Sequence, residues 1–394
     1  GVLAAPVLAE VLTEINDERN DLTVMLRILA VGVPAWAMSQ VAAGATRGFG
    51  TMRPSVFANQ IVRPVGQLGL VALVVATTDE VWPLALAWIA GAFAAIVPVA
   101  AWLRHRLDTL PSPAEDPQTA RNELWAFSRP RALSDVLHAA LERLDVVLVS
   151  ALVSTAAAGV YGAANRIILA GQLVMAATAQ ALAPHLSAEF SADANHRAQH
   201  LLRSLTGWNV TLLWPLFAFL IFGAPAFLPA FGDEFVEAES SLVVLAAAFA
   251  VIIGLGLGDT VLLMTGRSRA SLLNHVLALA VMLATAIALL PTVGVVGAAW
   301  AWALSRLSLR VLSVAWVWRS TGVHPFGSEL VTAATCATLA WLPVGIAYRV
   351  IDGSSVAGLA VAVAVGAALH AGFAWANRDR LHLQQLGAAL HLGR

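Results

Sequence analysis

The sequence predicts an all-α integral membrane protein, a polytopic bundle of helices, and three observations carry that reading. Apolar runs of about twenty residues, the length that crosses a bilayer's hydrocarbon core, recur along the chain with short polar breaks between them. Hydrophobic residues make up 59% of the 394 positions and charged residues only 12%, with a mean hydropathy of +0.77, outside the range of soluble domains. The breaks alternate between arginine-rich and acid-rich along the chain. Membrane insertion leaves that alternation behind, because arginine loops stay in the cytoplasm. A soluble helical protein has no reason to segregate charge by side.

A window of about nineteen residues places spans at 22–46, 54–77, 82–103, 130–153, 158–182, 205–231, 240–264, 270–290, 295–318, 330–350 and 356–375, with residues 1–14 reading as the tail of an earlier span. The first span follows Asp17, Glu18 and Asp21 and ends before Arg47, and Arg53 opens the second. Asp79 and Glu80 part the second from the third, and Arg104, Arg106, Arg121, Arg129 and Arg131 mark the break before the fourth. Arg197 and Arg203 precede the sixth span, whose Pro215, Gly223, Pro225 and Pro229 predict a kink or fraying near its outer end. Asp233, Glu234, Glu237 and Glu239 lie before the seventh span, Arg267 and Arg269 after it, Arg319 after the ninth, and Arg378 and Arg380 after the last. The arginine side and the C-terminus are therefore expected in the cytoplasm, on a cell membrane. Leu383, Leu386 and Leu390 are spaced for a short helix in the cytoplasmic interface.

These features exclude several functions. All 23 basic residues are arginine and lysine is absent, so no Walker-type loop exists. No break exceeds about 27 residues, which leaves no room for a soluble catalytic or nucleotide-binding domain. An enzyme is not expected, nor a cofactor. The net charge of −1 is no argument for nucleic acid, because the charges are sorted by side. Cys336 is the single cysteine and lies in an apolar run. His185, His196 and His200 cluster in one expected loop, but without a carboxylate or thiol set no metal site is expected.

Two breaks resemble each other. Gly50-Thr51-Met52-Arg53-Pro54-Ser55 reads like Gly266-Arg267-Ser268-Arg269-Ala270-Ser271, and each is followed by an early Asn, Asn59 and Asn274, at a separation of 216 positions between the glycines. Both lie at arginine-side turns, which predicts a parallel repeat of two bundles. The expected organisation is the remainder of an N-terminal bundle over 1–110, a six-helix bundle over 127–318, two additional spans over 329–376 and a cytoplasmic tail over 377–394. By the repeat, roughly 90 residues, about three spans, are expected before Gly1.

Several motifs carry a family resemblance. Glu142-Arg143-Leu144-Asp145-Val146-Val147-Leu148-Val149-Ser150, followed by Gly159-Val160-Tyr161-Gly162-Ala163-Ala164-Asn165-Arg166-Ile167, resembles the leucine–aspartate span and the Gly-x-Tyr-x-x-Ala helix of the polysaccharide transporter family. Pro184-His185-Leu186-Ser187 resembles the proline that closes the next helix there. Pro291-Thr292-Val293-Gly294-Val295-Val296-Gly297-Ala298-Ala299 is similar to its Gly-x-x-Gly-Ala-Ala lead into the twelfth span. The likeness runs from about Leu22 to Leu312. That family sits in the multidrug, oligosaccharidyl-lipid and polysaccharide flippase superfamily. The resemblance implies transport of a polyprenyl-pyrophosphate-linked oligosaccharide for polysaccharide biosynthesis, with membrane lipid, a polysaccharide polymerase and glycosyltransferases as partners.

Ionisable groups within spans are costly and face a wet cavity or a partner. Arg143 and Asp145 lie near the middle of the fourth span, Arg166 in the fifth, and Arg306 and Arg310 one turn apart in the ninth. The arginine fork suits phosphate oxygens, so Arg143, Arg166, Arg306 and Arg310 are the expected substrate ligands. Pairing of Arg143 with Glu142 or Asp145, and interhelical pairing of Arg306 and Arg310, are the structural alternatives. Asp145 and Asp259 are candidates for ion coupling. Asn59, Asn165, Gln172, Gln180 and Asn274 could meet a sugar or another helix, and Trp82, Trp102, Trp316, Trp318 and Trp375 read as an interfacial belt. The competing functions are a drug or ion antiporter of the same superfamily, which would favour an acidic cavity, and a membrane-embedded glycosyltransferase or ligase, which would need a larger outer loop. A non-transporting scaffold is a further alternative.

Overall fold

The computed structural model describes residues 16–49, 51, 53–78, 80–109, 117–192 and 194–381. All regular structure among the described residues is helical, as a bilayer demands of a chain whose backbone polar groups must pair within their own segment. The chain separates into two compact units, residues 1–117 and 118–394.

The first unit holds α1 (Asn16–Gly48), α2 (Arg53–Thr77, with a π turn at Phe57–Val62) and α3 (Trp82–Leu107). Small residues bring the helices together. A Cβ on Gly91 would run into the Gln67 side chain, and one on Gly32 would meet Ile89 Cδ1 at 2.6 Å. The carboxamide of Gln67 donates to Trp88 O at 3.0 Å, fastening α2 to α3.

The second unit runs α4 (Pro117–Leu141), α5 (Leu144–Leu152), α6 (Thr155–Ser191), α7 (Asn195–Phe227), α8 (Glu239–Gly254), α9 (Gly258–Met264), α10 (Ser268–Val293), α11 (Val295–Thr321), α12 (Ser328–Ile351) and α13 (Val356–Ala376). Its core lies where α6, α7, α8 and α11 meet, around the fully buried Tyr161, Ile168, Phe217, Leu245 and Trp302. The helices α12 and α13 pack outside this core against α7, where the imidazole of His370 lies 2.9 Å from Thr211 O. Large apolar side chains cover the surface, among them Val350 at 79% and Ile351 at 83% exposure. That apolar outside matches lipid rather than water.

Among the described residues, nine helices are long and apolar enough to cross a membrane, and a tenth span results if the bent pair Thr155–Leu169 and Gly171–Gln180 is counted as one. The sequence reading gave eleven, and the difference lies in its fourth span. There the helix breaks at Glu142 and Arg143, leaving an apolar helix at Ala132–Leu141 and the short α5. Arg143 N bonds Ala140 O, three residues back, and φ −128° at Arg143 interrupts the ladder. The seventh span is also two helices, α8 and α9, broken at Gly256 with φ +71°. A Cβ there would lie 2.7 Å from Thr206 Oγ1, so both backbone and space require glycine. The sixth span unwinds at its end into a 3₁₀ turn at Leu228–Phe231 that starts on Pro229, as its prolines predict. The break holding His196 and His200 is no loop: both sit in the first turns of α7. The expected interfacial helix at 383–390 lies outside the described residues.

Candidate functional site

In the second unit the breaks and bends in the helices leave space that the side chains line with charge. A cavity of about 190 Å³ lies between α4, α6, α8, α9 and α11, with Glu142, Asp259, Arg306 and Arg310 on its wall. A second, of about 260 Å³, is lined by Arg143, Asn165, Arg166 and Arg306. The two share Glu142, Gln172, Trp302 and Arg306. All four arginines expected from the sequence are thus brought to one pair of cavities. Arg306 and Arg310 are half-buried, Arg143 and Arg166 exposed.

The structural partners open to these arginines are not taken. Among the described residues none of the four makes a side-chain hydrogen bond or ion pair. Glu142 pairs instead with His138, at 3.4 Å, one turn back on α4. Arg306 lies over the Trp302 ring with its guanidinium carbon 5.8 Å from the centroid, and both face the cavities because they stand four residues apart on α11. The geometry is that of a cationic surface with free donor forks, able to take phosphate oxygens in bidentate fashion.

Asp145 is elsewhere. It lines neither cavity and is 1% exposed. Its Oδ2 accepts from Tyr161 Oη at 2.8 Å and from Asn165 Nδ2 at 2.9 Å, while Oδ1 has no partner. This clamp ties α5 to α6, and it fixes the helix positions of Arg143, two residues before Asp145, and Arg166, one after Asn165. Asn165 therefore works between helices as well as on the wall.

Asp259 does face the first cavity. It accepts from Ser271 Oγ at 3.1 Å, and from there a polar chain runs through the packed helices. Ser271 Oγ lies 3.4 Å from Ser134 Oγ, which is 3.2 Å from His275 Nδ1. That nitrogen also lies 2.8 Å from Ser271 O, which makes it the donor. The His275 ring stands edge-on to His138 with centroids 5.6 Å apart, and His138 returns the chain to Glu142. The chain starts and ends on carboxylates of the same cavity. Sequence reasoning missed Glu142, His138, His275 and Trp302 as parts of this site. The four-residue spacing of His138 and Glu142, and of Trp302 and Arg306, was the available signal. Asn274 bonds Ser313 Oγ at 3.2 Å and Asn59 bonds Ser55 O at 3.2 Å, so both act within the helix packing. The described residues hold no group of three His, Cys, Asp or Glu side chains that could hold a metal ion.

This helical fold has counterparts among known structures. A MATE transporter in its bent conformation matches with TM-score 0.65 at 16% identity, over 84% of this chain and 75% of the other. An outward-facing multidrug resistance MATE family transporter of the MOP superfamily matches with TM-score 0.63 at 15% identity, over 82% and 74%. A mutant of the Vibrio cholerae MATE transporter VcmN matches with TM-score 0.62 at 17% identity, over 81% and 78%. At such identities these likenesses show the fold. By sequence, residues 1–190 are similar to the family described as polysaccharide biosynthesis protein, the likeness the motifs predict. No curated protein is similar enough in sequence to stand as a relative.

Proposed function

We propose that this chain moves a polyprenyl-pyrophosphate-linked oligosaccharide from the cytoplasmic to the outer leaflet of the cytoplasmic membrane, for polysaccharide biosynthesis. The observation that carries the reading is the set of four arginines, Arg143, Arg166, Arg306 and Arg310, unpaired among the described residues, on two cavities that share a wall. A pyrophosphate brings several negative charges, and the planar guanidinium forks of these arginines suit its oxygens. The family matched over residues 1–190 supports the polysaccharide assignment. The parallel repeat expected from the matched breaks 216 positions apart would provide the two halves that alternating access needs. The enzymes that build and polymerise the oligosaccharide are the expected partners, and Asp259, on the cavity wall beside Arg310, is the carboxylate placed to couple an ion.

A drug or ion antiporter is the second reading, favoured by the MATE-like fold. The cavity walls weigh against it, since the arginines outnumber Glu142 and Asp259. The test is an accumulation assay for inner-leaflet lipid-linked oligosaccharide in cells producing Arg166→Ala or Arg306→Ala. Losing one charge-assisted contact costs about 1.5–3 kcal/mol, so transport should fall about ten- to hundredfold at normal membrane abundance. Lysine should rescue only in part. Normal flipping by both alanine variants overturns the assignment.

A further inference from the structure

Away from these cavities, an arginine–tryptophan groove lies where α10 begins and α11 ends. Gly266, with φ +74°, terminates α9. Its N–H bonds Leu263 O at 3.1 Å and the N–H of Arg267 bonds Leu262 O at 3.1 Å, the Schellman pattern that turns the chain sharply into α10. The neighbouring helix α11 returns antiparallel and brings Trp316 and Arg319 to the same end.

Two grooves meet there. One, of about 450 Å³, is lined by Arg267, Arg269, Leu273 and Trp316. The other, of about 390 Å³, is lined by Arg267, Leu312, Trp316 and Arg319. No carboxylate lines either. All three arginines are exposed, and among the described residues none has a hydrogen-bond or ion-pair partner for its side chain. Below the arginines the surface becomes apolar. Leu273 and Leu277 follow Arg269 at four-residue steps on one face of α10, at 47% and 42% exposure, and Trp316 is 40% exposed at the boundary. A row of charge above a track of leucines, with an indole between them, has the polarity of one membrane leaflet.

We propose that this groove binds an anionic phospholipid. The phosphate sits among Arg267, Arg269 and Arg319, one acyl chain lies along Leu273 and Leu277, and Trp316 packs at the glycerol level. Basic pockets between spans hold anionic headgroups in this way, and three forks around one phosphate satisfy its oxygens. A free phosphate would use the arginines but leave the apolar track bare. The site is separate from the arginines assigned to transport.

The test titrates the purified chain, in a mild neutral detergent, with phosphatidylglycerol, phosphatidylcholine or inorganic phosphate, and reads occupancy by native mass spectrometry. Phosphatidylglycerol should bind saturably and phosphatidylcholine more weakly. Each arginine removed should weaken phosphatidylglycerol binding about fivefold, and the pair Arg269→Gln with Arg319→Gln about thirtyfold. Thermal unfolding should not change, because both side chains are exposed and unpaired. Arg319→Gln alone serves if the pair expresses poorly. Unchanged phosphatidylglycerol affinity in the variants overturns the proposal. So does equally tight binding of inorganic phosphate, which makes the groove a plain anion site. Displacement of bound lipid by a polyprenyl pyrophosphate but not by further phosphatidylglycerol also overturns it, by placing the groove on the transport path.

Discussion

Replacing Tyr161 by Phe removes one oxygen from the clamp between α5 and α6 and leaves the ring in place. The hydroxyl is fully buried and donates to Asp145 Oδ2 at 2.8 Å. Phenylalanine fills the same volume, so no cavity term enters and the loss is the hydrogen bond alone. A buried bond to a charged acceptor contributes about 1.5–3 kcal/mol. The upper half of that range applies, because the bond is fully buried and Asn165 is the other side-chain donor to Oδ2 among the described residues. Among the described residues, Tyr161→Phe leaves Asn165 as the one side-chain donor to the carboxylate. Unfolding in mixed micelles of rising anionic-detergent fraction should therefore show a loss of about 2–3 kcal/mol. Asn165→Ala should cost a similar amount, and the two changes should couple by more than about 0.5 kcal/mol because they share one carboxylate. Since the clamp positions Arg143 and Arg166, transport per molecule should also fall. A loss under about 0.5 kcal/mol, inside the range of neutral surface changes, would show that the clamp does not tie α5 to α6.

Three further outcomes are expected. Gly256→Ala forces a side chain into the left-handed region and against Thr206 Oγ1, itself bonded to Leu202 O at 2.7 Å. It should cost about 1 kcal/mol more than Gly322→Ala, whose φ is +75° with open space around it and which bears the left-handed penalty of about 1–2 kcal/mol alone. Equal losses in thermal unfolding would refute the packing argument. Arg349 pairs with Glu239 at 2.8 Å and donates to Ile221 O at 3.0 Å, tying the end of α12 to α7 and α8; Glu239→Gln should cost about 1 kcal/mol and lose that effect in high salt. In a Cys336→Ser background, cysteines at Glu80 and Glu237 should react with an impermeant maleimide in intact cells and cysteines at Arg121 and Arg197 should not; the reverse would invert the orientation and the direction of transport.

The fold class was legible because membrane insertion writes itself into composition: span length, loop charge and the absence of long polar segments all follow from the cost of moving polar groups into lipid. The family resemblance was legible too, from motifs around Asp145, Tyr161 and Asn165. Those residues proved to be a hydrogen-bonded clamp, and Asp145, expected to couple an ion, is buried away from the cavities.

Hydropathy averages over a window, so it ran straight through the breaks at Glu142–Arg143 and Gly256. A helix stops where its local backbone bonds fail, and an apolar average does not sense that. The sequence by itself determined a many-pass helical membrane protein with arginines inside its spans. Only the tertiary structure decided that Arg143, Arg166, Arg306 and Arg310 share one pair of cavities, that they have no ion-pair partner among the described residues, and that Glu142 turns to His138. Residues more than a hundred positions apart meet through helix packing, and the partner of a buried charge is set by which helix faces it, a property that no local spacing encodes.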